Sequence, residues 1–119
     1  MSTVLVVDDH PSFRRFARKL LQAAGFSVVD EVGDGASALA SVRERRPDVV
    51  LLDVLLPDTN GFDLAEVLSA DGDSPLVVLT SSRSAADFGG SLARSSAHGF
   101  IAKSDLTAAV FAALVGDAS

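Results

Sequence analysis

The chain has no cysteine, so it can form neither a disulfide framework nor a thiolate metal site. A reducing cytoplasm is compatible with that absence and is the expected location. No apolar run approaches the ~20 residues that a membrane helix needs, and no membrane association is expected. Met1-Ser2-Thr3 runs straight into a strand-like stretch, so no signal peptide is expected. Repeats, linkers and low-complexity tracts are missing, as are a phosphate-binding P-loop, a Ser-His-Asp set and zinc-ligand spacing. His10 and His98 read as loop residues. Basic residues are few: 10 Lys and Arg stand against 16 Asp and Glu, a formal net charge of −6. That balance argues against non-specific nucleic-acid binding, and no direct nucleic-acid partner is expected. With 119 residues there is room for one compact domain, expected over residues 1–119.

What is present is a regular alternation. Thr3-Val4-Leu5-Val6-Val7, Val49-Val50-Leu51-Leu52 and Leu76-Val77-Val78-Leu79 are continuous apolar runs, as in parallel strands buried on both faces. Phe26-Ser27-Val28-Val29 is a weaker strand and Gly99-Phe100-Ile101-Ala102 a short fifth one. Between the first two, Phe13, Phe16, Ala17, Leu20, Leu21 and Ala24 recur at helical spacing, opposite Arg14, Arg15, Arg18, Lys19 and Gln22. Pro11 suits the first turn of that helix and Gly25 its end. Further helices are expected near residues 35–46, 61–70, 84–97 and 104–115. Alternating β and α elements imply an α/β domain, a doubly wound parallel sheet of five strands between two helical layers. Ligands in such sheets bind beyond the carboxyl ends of the strands.

Asp8-Asp9 follow the first strand and Asp53 ends the third. In a flavodoxin-like (βα)5 order, 2-1-3-4-5, those strands are neighbours and three carboxylates converge on one rim. Two carboxylates ~4 Å apart repel by about 4 kcal/mol at an effective dielectric near 20, so the cluster calls for a cation. Oxygen ligands alone point to a hard ion, Mg²⁺ first. Taken alone, Asp8-Asp9 serve equally well as loop and helix-cap residues. The other strand ends decide: Thr80-Ser81 close the fourth and Lys103 follows the fifth. Acids, a hydroxyl and an ammonium on one rim are an inventory for phosphoryl transfer.

Along nearly its whole length the chain resembles the receiver domain of two-component response regulators (the CheY-like superfamily). Asp8 and Asp9 match that family's acidic metal-binding pair, and Asp53, within Asp53-Val54-Leu55-Leu56-Pro57 and before Gly61, its phosphorylated aspartate. Leu55 matches the residue whose backbone carbonyl is a further metal ligand, Thr80 the switch hydroxyl and Lys103 the phosphate-binding lysine. Phe100, three residues before that lysine, matches the rotating switch aromatic. The resemblance implies a signalling switch that takes a phosphoryl group onto Asp53 with Mg²⁺ (or Mn²⁺), without being a turnover enzyme. The donor would be a sensor histidine kinase or a histidine phosphotransfer protein. It further implies that Thr80 and Phe100 carry the change to the face of helix 4, strand 5 and helix 5, where a second copy or an output partner would bind.

Some residues depart from the family's common pattern. Phe100 lacks the hydroxyl of the frequent Tyr, and Ser104 stands where Pro often follows the lysine. Gly89-Gly90 fall inside the expected fourth helix at about 1 kcal/mol each relative to Ala, so a frayed or shortened helix is expected. In the last helix, Leu106, Ala109, Val110, Ala113 and Leu114 are expected against the sheet, with Ala108, Phe111, Ala112 and Val115 facing away as an interface. Neither Leu55 nor Ser82 offers an acid or amide to orient attacking water, so a long-lived phosphoaspartate is expected.

Three other readings compete. Gly33-Asp34-Gly35-Ala36-Ser37-Ala38 has the spacing of a dinucleotide-binding turn, but it follows the second strand and puts Asp34 where a pyrophosphate would sit. An Asp-nucleophile phosphatase of the haloacid-dehalogenase kind would need a second Asp where Leu55 stands. A pseudo-receiver, the same fold used only for protein contacts, is the remaining alternative.

Overall fold

The computed structural model describes residues 2–70 and 74–116. Five parallel strands form one sheet: β1 (Thr3–Val7), β2 (Ser27–Val32), β3 (Val49–Asp53), β4 (Leu76–Ser81) and β5 (Gly99–Ala102). Their order is β2-β1-β3-β4-β5, as expected. The helices are α1 (Pro11–Ala23), α2 (Gly35–Arg45), α3 (Gly61–Leu68), α4 (Ser91–Arg94) and α5 (Ala108–Val115). Short 3-10 turns occupy Ala85–Phe88 and Lys103–Asp105.

Alternate strand residues fill two cores, because successive side chains leave opposite faces of a sheet. Val4, Val6, Val49, Leu51, Val78 and Ile101 pack under α1 and α5 with Ala17, Leu21 and Phe111. Leu5, Val7, Val50, Leu52, Val77 and Leu79 pack under α2 and α3 with Ala38, Leu64 and Ala65. The strands thus read as unbroken apolar runs because both faces are covered.

The range 84–97 expected for the fourth helix is corrected, and its shortening at Gly89-Gly90 is as expected. Chain that could have made one long helix breaks at Gly89, whose φ of +55° lies in the left-handed region. What remains is the turn Ala85–Phe88 and the four-residue α4, with no fully buried residue in either. So little packing leaves those backbone hydrogen bonds open to solvent. Amide exchange is therefore expected to be at least an order of magnitude faster in Ser91–Arg94 than in the middle of α1. Equal protection by NMR would overturn that reading.

The last helix is corrected too. It starts at Ala108, capped by the Thr107 hydroxyl that accepts from Val110 N–H at 3.1 Å, and so excludes Leu106. Its phase differs in part from the one expected: Leu106 and Leu114 pack on the core and Ala112 is exposed as expected, but Ala109, Val110 and Ala113 face out. Phe111 and Val115 are buried, Phe111 edge-on to Phe26 with centroids 5.1 Å apart, while Val110 is 42% exposed. With almost every position apolar, periodicity carries no phase, and the largest side chain takes the inside. In α1, Ala17 and Leu21 are buried as expected, but Phe16 stays 49% exposed. β2 runs beyond the expected Val29 to Val32, because an edge strand tolerates Asp30 and Glu31.

Candidate functional site

The rim at the carboxyl ends of β1, β3, β4 and β5 brings Asp8, Asp9, Asp53 and Lys103 together with Thr80 opposite Asp53, while Leu55 offers its N–H to Asp53 with its side chain exposed and Phe100 lies further back on β5. Asp8 is fully buried just beyond β1, its N–H donating to Val32 O at 3.0 Å. Its two carboxylate oxygens face different partners. Oδ1 accepts the His10 N–H at 2.8 Å, and Oδ2 lies 2.6 Å from Lys103 Nζ. Asp9 is exposed beside it. Asp53, the last residue of β3, is 4% exposed, with the Leu55 N–H donating to Oδ1 at 3.3 Å and Lys103 Nζ 3.5 Å from Oδ2. Lys103 thus bridges two acids that would otherwise repel.

Burial first, and the Asp8 carboxylate second, push the Asp53 carboxyl up to about 6, against the downward pull of Lys103 and the Leu55 N–H. Three carboxylates against one ammonium leave the rim in excess of negative charge. Carboxylate oxygens of Asp8, Asp9 and Asp53 lie with a His10 nitrogen within 4.8 Å of one another. This oxygen-rich, electron-rich set fits a hard divalent cation such as Mg²⁺.

Across the β3–β4 register, Asp53 stands opposite Thr80. The Thr80 hydroxyl is buried and has no hydrogen-bond partner among the described residues, an arrangement that costs about 1–3 kcal/mol unless a partner arrives. On β5, Phe100 precedes Ile101, the register partner of Thr80; it is half-buried and edge-on to Phe88, which is edge-on to Phe62 of α3, with centroids 5.8 Å and 5.5 Å apart.

Four supporting residues escaped the sequence reading. His10, read as a loop residue, sets its imidazole against both Asp8 and Asp9. Phe13 lies under the Lys103 ammonium, 4.5 Å from ring centroid to Nζ, which limits the lysine's freedom. Arg14 donates from Nη1 to the Asp8 carbonyl at 2.6 Å. Asp58 accepts from the Gly35 N–H at 2.8 Å and the Ala36 N–H at 3.1 Å, which ties the loop after Asp53 to the start of α2. The Gly35 N–H holds the Asp58 carboxyl below the usual carboxylate range. That contact removes the dinucleotide reading, because the chain's own carboxylate occupies the amides a pyrophosphate would need. Asp34 takes a third, accepting from Ser37 N–H at 2.7 Å.

Residues 4–114 match the family model described as the response regulator receiver domain. The chain belongs to that family. As a receiver domain it is 46% identical over 84 residues to the DNA-binding response regulator MtrA of Mycolicibacterium smegmatis, covering 71% of this chain and 36% of that protein. It is 37% identical over 121 residues to a putative transcriptional regulator of Pseudomonas aeruginosa, covering 98% of this chain and 58% of that one. The domain therefore spans about a third to somewhat over half the length of these relatives. Among solved structures, the signal receiver domain of the putative response regulator NarL from Mycobacterium tuberculosis superposes with a TM-score of 0.83 at 31% identity, covering 97% of each chain. The CheY-like receiver from Methylobacillus flagellatus superposes with a TM-score of 0.86 at 25% identity, covering 100% of this chain and 99% of that one. Receiver domains are signalling modules of two-component systems that work with histidine kinases and output domains, and they bind Mg²⁺ through acidic residues. Among the described residues no helix is long and apolar enough to cross a membrane.

Proposed function

We propose that this receiver domain is switched by phosphorylation of Asp53, by a sensor histidine kinase or a histidine phosphotransfer protein, in the cytoplasm. The observation that carries the reading is the Lys103 ammonium set between Asp8 and Asp53, with the buried Thr80 hydroxyl, unpartnered among the described residues, opposite Asp53 on β4. Mg²⁺ held by Asp8, Asp9 and Asp53, with the Leu55 carbonyl as a further oxygen (Mn²⁺ serving in its place), would supply positive charge to the phosphoryl oxygens.

The chain's own residues do the rest. With a carboxyl that titrates near 6, Asp53 is mostly ionised at neutral pH and available as nucleophile. A carboxylate oxygen forms the bond to phosphorus as the P–N bond of the donor phosphohistidine breaks, and the departing imidazole takes up a proton. Lys103, steadied by Phe13, turns from pairing two carboxylates to offsetting charge on the acyl phosphate. Thr80, opposite Asp53 on β4, donates its free hydroxyl to a phosphoryl oxygen. Its movement opens space for Phe100, and the aromatic stack on α3 and the β4–α4 connection shifts with it. α4, β5 and the outer row of α5 at Ala109, Val110, Ala112 and Ala113 then form the surface that a second copy or an output partner reads.

Intact-mass measurement after incubation with acetyl phosphate tests this. A single phosphoryl adduct is expected that requires Mg²⁺, is absent in Asp53→Asn, and decays over minutes or longer because neither Leu55 nor Ser82 offers an acid or amide to orient water. An adduct that survives in Asp53→Asn would overturn the site, and loss within seconds would overturn the slow decay.

A further inference from the structure

The residue after the acidic pair is a histidine, and its ring is placed as a ligand would be. His10 Nδ1 lies 3.1 Å from Asp8 Oδ1 and 3.1 Å from Asp9 Oδ1. Two donors bound to one ion at about 2.1 Å stand roughly 3.0 Å apart when octahedral neighbours and 3.4 Å apart when tetrahedral ones. The observed spacings fall in that interval, and both carboxylates and the imidazole nitrogen lie within 4.8 Å of one another, as ligands of one ion would.

The main chain already holds the ring there. The His10 N–H is tied to Asp8 Oδ1 at 2.8 Å, and Pro11, the first residue of α1, restrains the backbone next to it. The imidazole is 66% exposed, which leaves the approach open to a hydrated ion. Asp8 presents Oδ1 on this side while Oδ2 remains with Lys103, so a ligand set of Asp8 Oδ1, Asp9 Oδ1 and His10 Nδ1 need not displace the lysine.

We propose that His10 is an imidazole ligand that extends the acidic rim into a site for borderline divalent metals, Ni²⁺ and Zn²⁺, beyond the hard ions its carboxylates accept. The inference rests on the reading of Asp8, Asp9 and Asp53 as a divalent-cation site. Its physical basis is donor softness: oxygen sites suit Mg²⁺, whereas one imidazole adds affinity along the series that rises from Mn²⁺ to Ni²⁺ and Cu²⁺. Mg²⁺, which prefers oxygen and retains its waters, gains little from a nitrogen donor.

Calorimetric titration of the untagged domain with Mg²⁺ and with Ni²⁺ separates the possibilities, using wild type, His10→Gln and His98→Gln. Ni²⁺ affinity is expected to fall on the order of 10-fold or more in His10→Gln, with Mg²⁺ affinity unchanged. His98→Gln, whose ring is bonded to the Leu114 carbonyl at 2.8 Å, is expected to match wild type for both ions. Equal Ni²⁺ affinity in wild type and His10→Gln would overturn the proposal. So would an equal loss of both ions, which would mean that His10 only props the carboxylates. Failure of Mg²⁺ to bind wild type, with the Ni²⁺ loss in His10→Gln intact, would refute the Mg²⁺-dependent switch and leave the imidazole ligand standing.

Discussion

Asp53→Asn is expected to make the metal-free domain more stable at pH 7, by about 1–3 kcal/mol, while abolishing phosphoryl uptake. The reason is the cost of keeping this carboxylate charged. Its carboxyl titrates near 6 in the fold against 3.8 in an ordinary setting, because it is buried and faces Asp8. A group whose folded value is raised binds more protons folded than unfolded between those two values. Its contribution is therefore fully present below about pH 4 and lost as pH rises through 6. The stability gap between Asp53→Asn and wild type should accordingly be small at pH 4, widen between pH 4 and 6, and be flat above 7. Saturating Mg²⁺ should narrow the gap by stabilising wild type more than the variant. Denaturant melts across that range, with and without chelator, check it; a variant less stable than wild type at pH 7 in chelator would refute the repulsive cluster.

Gly61→Ala is expected to cost about 2–3 kcal/mol, which lowers Tm by roughly 10 °C in a domain of this size. A β-carbon at Gly61 would stand 2.7 Å from the Asp53 carbonyl oxygen and 2.9 Å from Val54 Cα. Both are main-chain atoms at the end of a buried strand, and the Gly61 N–H is already tied to Val54 O at 2.6 Å. Neither side can yield without moving the backbone of Asp53. Gly90→Ala is the control. There the new carbon would meet only the Arg94 guanidinium, at 2.5 Å, the far end of a flexible side chain that can swing away. Thermal melts of the two variants should differ by most of the predicted Tm loss. Equal Tm values would mean that the α3 entry is softer than these contacts imply.

Much of this was legible in the residues because the strands are covered on both faces. Thr3–Val7 and Gly99–Ala102 begin and end where the apolar runs do, and the acids, Thr80 and Lys103 meet because strand order brings their ends together. Legibility failed where a pattern lacked contrast or a contact was remote. α5 has too few polar residues to give its phase, and Asp30 and Glu31 hid the second half of β2. Phe13 under Lys103 and Asp58 on α2 depend on pairings that no local spacing announces. The Gly33–Ala38 turn carries the converse lesson. Spacing can signal a ligand site, but it cannot report that another part of the chain already fills it.

The stack of Phe62, Phe88 and Phe100 joins α3, the β4–α4 connection and β5, and Phe100 directly precedes Ile101, the register partner of Thr80. Coupling between two binding events is reciprocal: whatever free energy the phosphoryl group lends to one arrangement of the rings, a protein gripping that arrangement returns to the phosphoryl group. A tenfold preference of such a protein for the phosphorylated form is the same ~1.4 kcal/mol by which its docking would favour keeping the phosphoryl group on Asp53. On the proposed switch, a partner that grips the shifted rings would raise the equilibrium occupancy of the phosphoryl group on Asp53 by the same factor, so the aromatic stack would carry a signal in both directions.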